Sequence, residues 1–131
     1  MTATIPAEAF PLIDEPEFAT IATINPDGQP QLSVVWVERD GNDILVSTAE
    51  GRQKHRNLLR DPRATILIWA KANPWSYIEV RGTVTMQREG GRELIDRLAR
   101  KYTGADRYTK DDGTDNVRVI LRVTPDKVIV R

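Results

Sequence analysis

Ser47-Thr48-Ala49-Glu50-Gly51-Arg52-Gln53-Lys54-His55-Arg56-Asn57-Leu58-Leu59-Arg60-Asp61-Pro62 sits between two apolar runs. Ile44-Leu45-Val46 before it reads as a strand, and so does Ala64-Thr65-Ile66-Leu67-Ile68-Trp69 after it. Four Arg or Lys residues and no acid fall between positions 52 and 60, in a chain whose formal net charge is zero. A local cation cluster in a neutral protein calls for a local anion. A strand running into a helix start supplies free backbone N–H groups and the positive end of the helix dipole, which suit a phosphate. Arg grips such a group with parallel hydrogen bonds, and Lys adds a point charge. Ser47 and Glu50 have the spacing of a capping box for a helix over 51–60. Asp61-Pro62 stops that helix, because the residue before proline is pushed out of the α region.

Working outward, residues 6–13 read as a short helix. Phe18 to Ile24 alternates apolar with small or polar positions and reads as a strand. Asn25-Pro26-Asp27-Gly28 is a turn. Gln31 to Arg39 follows as one long strand, with Leu32, Val34 and Trp36 on one face and Ser33, Val35 and Val37 on the other. Asp40-Gly41-Asn42-Asp43 closes a hairpin onto a third strand, Ile44 to Ser47. Beyond the helix, residues 63–69 form a strand and Lys71-Ala72-Asn73-Pro74 a turn. Trp75 to Gln87 is a long strand with Gly82 at a bulge or bend. Gly91 to Tyr102 carries Leu94, Ile95, Leu98 and Tyr102 at helical spacing. Thr103 to Asn116 is polar and reads as mobile. Val117 to Val123 and Val128 to Val130 are the last strands. Many hairpin-linked strands and few helices predict a mainly β (α+β) fold. The expected architecture is an antiparallel barrel with two or three peripheral helices, as a single domain over residues 1–131.

Composition narrows the function. The chain is 40% hydrophobic and 29% charged, as in ordinary globular proteins. Zero net charge argues against nucleic acid or an anionic membrane as the main partner. No apolar run approaches the roughly 20 residues a membrane helix needs, and the first residues lack the pattern of a signal peptide. With no Cys and one His, a thiol nucleophile, a disulfide and a multi-His metal site are all excluded within one chain. A cytoplasmic setting is expected, with no metal.

The pattern Ser-Thr-x-x-x-Arg-x-Lys-x-x-Asn-Leu-x-x-Asp-Pro-Arg-Ala over residues 47–64 resembles the flavin/deazaflavin split β-barrel family, the pyridoxamine 5′-phosphate oxidase-like superfamily with its FMN-binding-like barrel. Phe18-Ala19-Thr20-Ile21-Ala22-Thr23, Asp27-Gly28-Gln29-Pro30-Gln31, Ser33-Val34-Val35-Trp36, Trp75-Ser76-Tyr77 and Val80-Arg81-Gly82 extend the resemblance over most of residues 16–88. It is most similar to the branch that uses the deazaflavin coenzyme F420. The resemblance implies a small homodimer and a reductase passing hydride from the reduced deazaflavin to a small unsaturated substrate. It assigns Arg52 and Lys54 to the cofactor's phosphate, and Ser47, Thr48 and Asn57 to the same strand–helix junction. Ser33, Val34, Val35 and Trp36 match the strand whose backbone runs along the ring. Trp75 and Tyr77 match residues that the partner subunit brings towards the cofactor.

The departures count as well. Pyridoxamine 5′-phosphate oxidases carry a further basic pair on the second strand, where this chain reads Leu32-Ser33-Val34-Val35-Trp36. They also end in an Arg/His-rich motif, where this chain ends Asp126-Lys127-Val128-Ile129-Val130-Arg131. These differences argue against vitamin B6 oxidation and against tight FMN binding. The alternatives are an FMN-binding oxidoreductase of the same fold, or a non-catalytic binder of F420 or of a haem-type ligand. No catalytic acid is identified. Arg56, Arg60 and Arg63 read as surface residues and His55 as an exposed helix residue. Asn57 also reads as a helix residue that bonds a nearby turn. Trp75 and Tyr77 share one face, and an interface stripe explains them as well as ring contact. Glu79 and Arg81 share that face and are expected to pair. The 103–116 segment is a candidate cover for the site, through Arg107 or Tyr108.

Overall fold

A computed structural model describes residues 2–131. Seven strands form one sheet in the order β2-β1-β5-β6-β7-β4-β3, antiparallel at every step. They are β1 (Phe18–Ile24), β2 (Pro30–Val35), β3 (Val37–Asp40), β4 (Asp43–Ala49), β5 (Arg63–Ala70), β6 (Asn73–Gln87) and β7 (Arg118–Val130). Three helices accompany them: α1 (Phe10–Asp14), α2 (Gln53–Arg60) and α3 (Gly91–Thr103). The two edge strands, β2 and β3, are neighbours in sequence, so the sheet curls round until its edges meet at Trp36. This is the split antiparallel β-barrel.

The barrel interior is aliphatic. Ile21, Ile66, Ile68, Ile78, Val80, Ile44, Val46, Leu121 and Val123 form one buried cluster with Ile5 and Ile13 from the N-terminal segment and Leu58 from α2. A second cluster lies outside the barrel, where α3 presents Leu94, Ile95 and Leu98 to Leu45 and Ile120. Strands β4 and β7 are therefore apolar on both faces, as expected of strands covered on both sides. Strands β1, β2, β5 and β6 have no helix on their outer face, and Phe18, Leu32, Val34, Leu67 and Trp75 lie exposed there.

Three expectations need correction. The stretch 31–39 is not one strand but β2 and β3, because its first half pairs with β1 and its second with β4, at the two ends of the sheet. Trp36 stands at the break, stacked on Tyr102 with ring centroids 5.4 Å apart. The last two strands are one, since β7 runs unbroken past Pro125. Pro125 is tolerated there because the ladder to β6 shifts register between Arg81 and Gly82, and a proline at a bulge forfeits no required donor. The capping box does not form. Strand β4 runs on to Ala49, opposite Arg118, so Ser47 is a strand residue. Arg52 caps α2 in an extended conformation with no side-chain hydrogen bond, and Glu50 pairs with Arg88.

The glycine at position 82, opposite the bulged Asp126 of β7, has a packing cause. A Cβ there would meet the Thr124 carbonyl oxygen at 2.5 Å and a Val123 methyl at 2.7 Å. Gly82→Ala is therefore expected to lower the unfolding free energy by roughly 1–3 kcal/mol, as overpacking does. Urea denaturation checks this, and an unchanged midpoint would show that the β6–β7 crossing has room to spare.

Candidate functional site

A cavity of about 220 Å³ opens where the β2–β3 junction, the end of β4, the start of α2 and the start of β7 converge beside α3. Val34, Val35, Trp36, Ser47, Arg52 and Lys54 line it. Lys110 and Tyr108, from the segment after α3, and Arg118, at the head of β7, complete its polar side. Ile95 and Leu98 of α3 give the apolar wall.

The charge around this cavity is uneven. Arg118 is buried and bidentate to Asp111, with Nε to Oδ2 at 2.7 Å and Nη2 to Oδ1 at 3.0 Å. Burial works against its charge, and Asp111 outweighs that, leaving the guanidinium above its ordinary value. Arg52, Lys54 and Lys110 have no carboxylate within 4.0 Å among the described residues. Burial, then the charges of Arg52 and Arg118, push the Lys54 ammonium below the usual lysine range. A half-buried ammonium beside two guanidinium groups is a site that a bound anion relieves. The Ser47 hydroxyl is buried with no hydrogen-bond partner, a donor left over beside these cations.

The other sequence-derived candidates lie elsewhere. Ser33 and Thr48 do not line the cavity, and their buried hydroxyls have no partner. Asn57 is fully buried and serves the fold. Its Nδ2 donates to Thr23 Oγ1 and Asn25 Oδ1, both at 3.0 Å, and its Oδ1 accepts from Gln53 at 2.8 Å. That is the turn-bonding role, here tying α2 to β1. Trp75 and Tyr77 stand on the outer face of β6, away from the cavity of their own chain, with Trp75 85% exposed. Glu79 and Arg81 pair at 2.7 Å. Arg56, Arg60 and Arg63 are exposed. His55 is half-buried rather than exposed, and its Nδ1 accepts the Gly51 N–H at 3.1 Å, outside this cavity.

The segment 103–116 is fastened, against the expectation of mobility. Tyr108 donates its N–H to Asp96 at 2.9 Å, and its carbonyl accepts from Arg92 at 2.7 Å. Its ring meets Trp36 edge-on at 6.1 Å and lies 4.9 Å from the Arg118 guanidinium. Composition reports how little apolar surface a segment can bury; it does not report ion pairs, which do the holding here. Arg107 is occupied by Asp112 at 2.8 Å, so Tyr108 is the one of the two that reaches the cavity. Sequence reasoning missed Lys110 and Arg118. A basic residue at the head of the apolar run Val119-Ile120-Leu121 was the available signal for Arg118.

Comparison with known proteins gives a consistent picture. The pyridoxamine 5′-phosphate oxidase family model matches residues 5–131. A solved F420 reductase superposes with a TM-score of 0.84 at 28% identity, over 95% of this chain and 98% of that one. A conserved hypothetical protein from Mycobacterium tuberculosis gives 0.77 at 24% identity, over 98% and 85%. General stress protein 26 from Bacillus anthracis gives 0.70 at 15% identity, over 94% and 90%. The last two share the fold.

The Asp111–Arg118 pair yields a pH prediction. Hydrogen bonds from Arg118 hold the Asp111 carboxyl at about 2, against an ordinary 3.8. A carboxyl with a depressed folded pKa contributes stability above its unfolded pKa and loses it as pH falls towards the folded one. Asp111→Asn is expected to cost about 2 kcal/mol near neutral pH, and the gap to wild type to close between about pH 4 and pH 2. Urea unfolding at several pH values measures it. A gap that persists at the acid end would mean Asp111 acts by shape and not by charge.

Proposed function

The chain belongs to the pyridoxamine 5′-phosphate oxidase family, and from that premise we propose that it is an F420-dependent reductase, passing hydride to a small unsaturated substrate. The observation that carries this reading is the cavity with three uncompensated cations and an unpartnered hydroxyl beside an aromatic wall. An anionic, ring-bearing cofactor fits that set. The 28% identical F420 reductase supports the choice of deazaflavin. So does β2, which offers no Arg or Lys for a second phosphate contact and exposes Leu32 and Val34 instead. FMN, whose phosphate needs such a clamp in the oxidases, is the less suited cofactor.

Reduced F420, when bound, supplies the hydride. The chain's own residues supply the rest. Arg52 and Lys54 would hold the phosphate by charge-assisted hydrogen bonds. Ser47 donates its free hydroxyl. The backbone of Ser33 to Trp36 lies along the sheet edge that a flat ring would follow. Trp36, Tyr108, Ile95 and Leu98 would exclude water from a ring bound in the cavity, which would strengthen the polar contacts inside.

We further propose that two copies assemble into a homodimer and share each site. A cavity of about 220 Å³ falls below the roughly 300–1,000 Å³ typical of cofactor pockets. Val34 lines the cavity and is also 72% exposed on the uncovered outer sheet face. A second copy seated on that face would therefore adjoin the cavity and bring its own Trp75 and Tyr77 near the ligand. Monomers rarely leave so much contiguous apolar surface uncovered without a use for it.

Two measurements test these readings. By calorimetry, F420 should bind more tightly than FMN. Lys54→Ala and Arg52→Ala should each weaken F420 about ten- to a hundredfold with the fold intact by circular dichroism. Equal FMN binding would sink the cofactor choice. By light scattering, the 14.8 kDa chain should run at twice its mass, and Leu32→Asp with Val34→Asp should give monomers that have lost cofactor affinity. A wild-type monomer that binds cofactor fully would refute the shared site.

A further inference from the structure

Trp36 lines the cavity, yet its own backbone belongs to no strand. The ladder of β2 to β1 ends at Val35, and that of β3 to β4 begins at Val37. A residue between two ladders is held only by what grips its ring and its neighbours. The grip comes from the last turn of α3. Val37 lies on β3, the outermost strand at its end of the sheet, and both of its backbone groups reach the helix. Its N–H donates to the Tyr102 hydroxyl at 3.2 Å. Its carbonyl accepts from the Lys101 ammonium at 2.6 Å. The Tyr102 ring stacks on Trp36 with an interplanar angle of 12°, and Lys101 Nζ lies 5.1 Å from the centre of that same Tyr102 ring.

Lys101 makes no ion pair among the described residues. Burial pushes its ammonium below the usual lysine range, and Asp14, Glu38 and Glu15 oppose that from a distance. Its other bond goes to the Ile13 carbonyl at 2.5 Å, in the last turn of α1, where carbonyls have no partner within the helix. Half-burying a cation without a counter-ion opposes folding. What two donors on one nitrogen supply is a fixed span between the Ile13 and Val37 carbonyls, and with it a fixed start for β3. We infer that Lys101 is a positioning residue for the cavity: by fixing the Val37 carbonyl it sets the plane of the Trp36 ring. Tyr102 shares the task from the N–H side of the same residue. That a cofactor ring lies against Trp36 rests on the F420 reading; the hold on Trp36 does not.

Time-resolved fluorescence anisotropy tests the hold, because Trp69→Phe with Trp75→Phe leaves Trp36 as the single tryptophan. In that background the Trp36 ring should turn only with the whole molecule. Lys101→Met should add a nanosecond motion of the ring. In the otherwise native chain it should weaken F420 roughly two- to tenfold by calorimetry. A lysine that merely stabilised the fold would lower the melting temperature and leave both readouts unchanged. Tyr102→Phe keeps the stack and frees the Val37 N–H. It should show the same ring motion, and it decides the matter if Lys101→Met does not fold. An unchanged ring in the variants that fold overturns the assignment. A freed ring with unchanged F420 affinity overturns the role at the site and leaves the F420 reading intact. A wild type that fails to bind F420 overturns that reading, and the ring motion then decides the hold on Trp36 by itself.

Discussion

Ile44 and Val46 turn into the barrel while Leu45 between them turns outward, and on the neighbouring strand Leu121 and Val123 turn in while Ile120 turns out. Apolar side chains on both faces of β4 and β7 oblige something to cover the outside, and α3 does so with Leu94, Ile95 and Leu98. Fully burying such a side chain is worth roughly 1.5–3 kcal/mol, so this second cluster is a sizeable share of a marginal total. With α3 fixed there, the chain must return to the head of β7 over the strand ends. The cavity is the space left between that return, the β2–β3 junction and the start of α2. Gly91 marks how tight the arrangement is, since a Cβ on it would collide with the backbone of Arg118.

Net charge conceals what matters electrostatically. The chain is neutral overall, but acids and bases are not spread at random. Most arginines outside the cavity are matched: Arg39 with Asp14, Arg63 with Asp61, Arg81 with Glu79, Arg97 with Glu38, Arg122 with Asp40 and Asp43. Exposed pairs of this kind contribute little to stability. The cavity differs in that Arg52, Lys54 and Lys110 stand together there without a carboxylate partner among the described residues.

Local chemistry was legible in the sequence, and pairing at a distance was not. The Asp61-Pro62 stop, the bulge at Gly82 and the helical spacing of Leu94, Ile95, Leu98 and Tyr102 each depend on a residue and its near neighbours. The structure carries all of them. The break at Trp36 depends on which strands lie to either side, and the continuity of β7 through Pro125 depends on a bulge at Asp126, beside it, against the β6 ladder. Neither is written in the stretch itself. The capping box failed for a related reason: Ser47 had the right spacing to Glu50, but pairing with Ile120 kept it in a strand. For the cavity, a motif at one strand–helix junction pointed to Arg52 and Lys54. Lys110 and Arg118 arrive from the far end of the chain, and only the fold brings them in.

Asn57 shows how a residue inside such a motif can matter without touching a ligand. Helix α2 has eight residues, too few to be stable by itself in water. Leu58 anchors it in the barrel core, but one apolar side chain fixes a helix only loosely about its own axis. Asn57, next to it, sets that rotation with two hydrogen bonds that leave the helix, to Thr23 and Asn25. Thr23 is itself fully buried on β1, so the bonds run to a rigid strand. Lys54 lies three residues before Asn57 on the same helix, so its direction follows from that rotation, and Arg52 immediately precedes the helix as its cap. The cations and the buried amide belong to one pattern because the amide aims the helix that carries Lys54 and begins at Arg52.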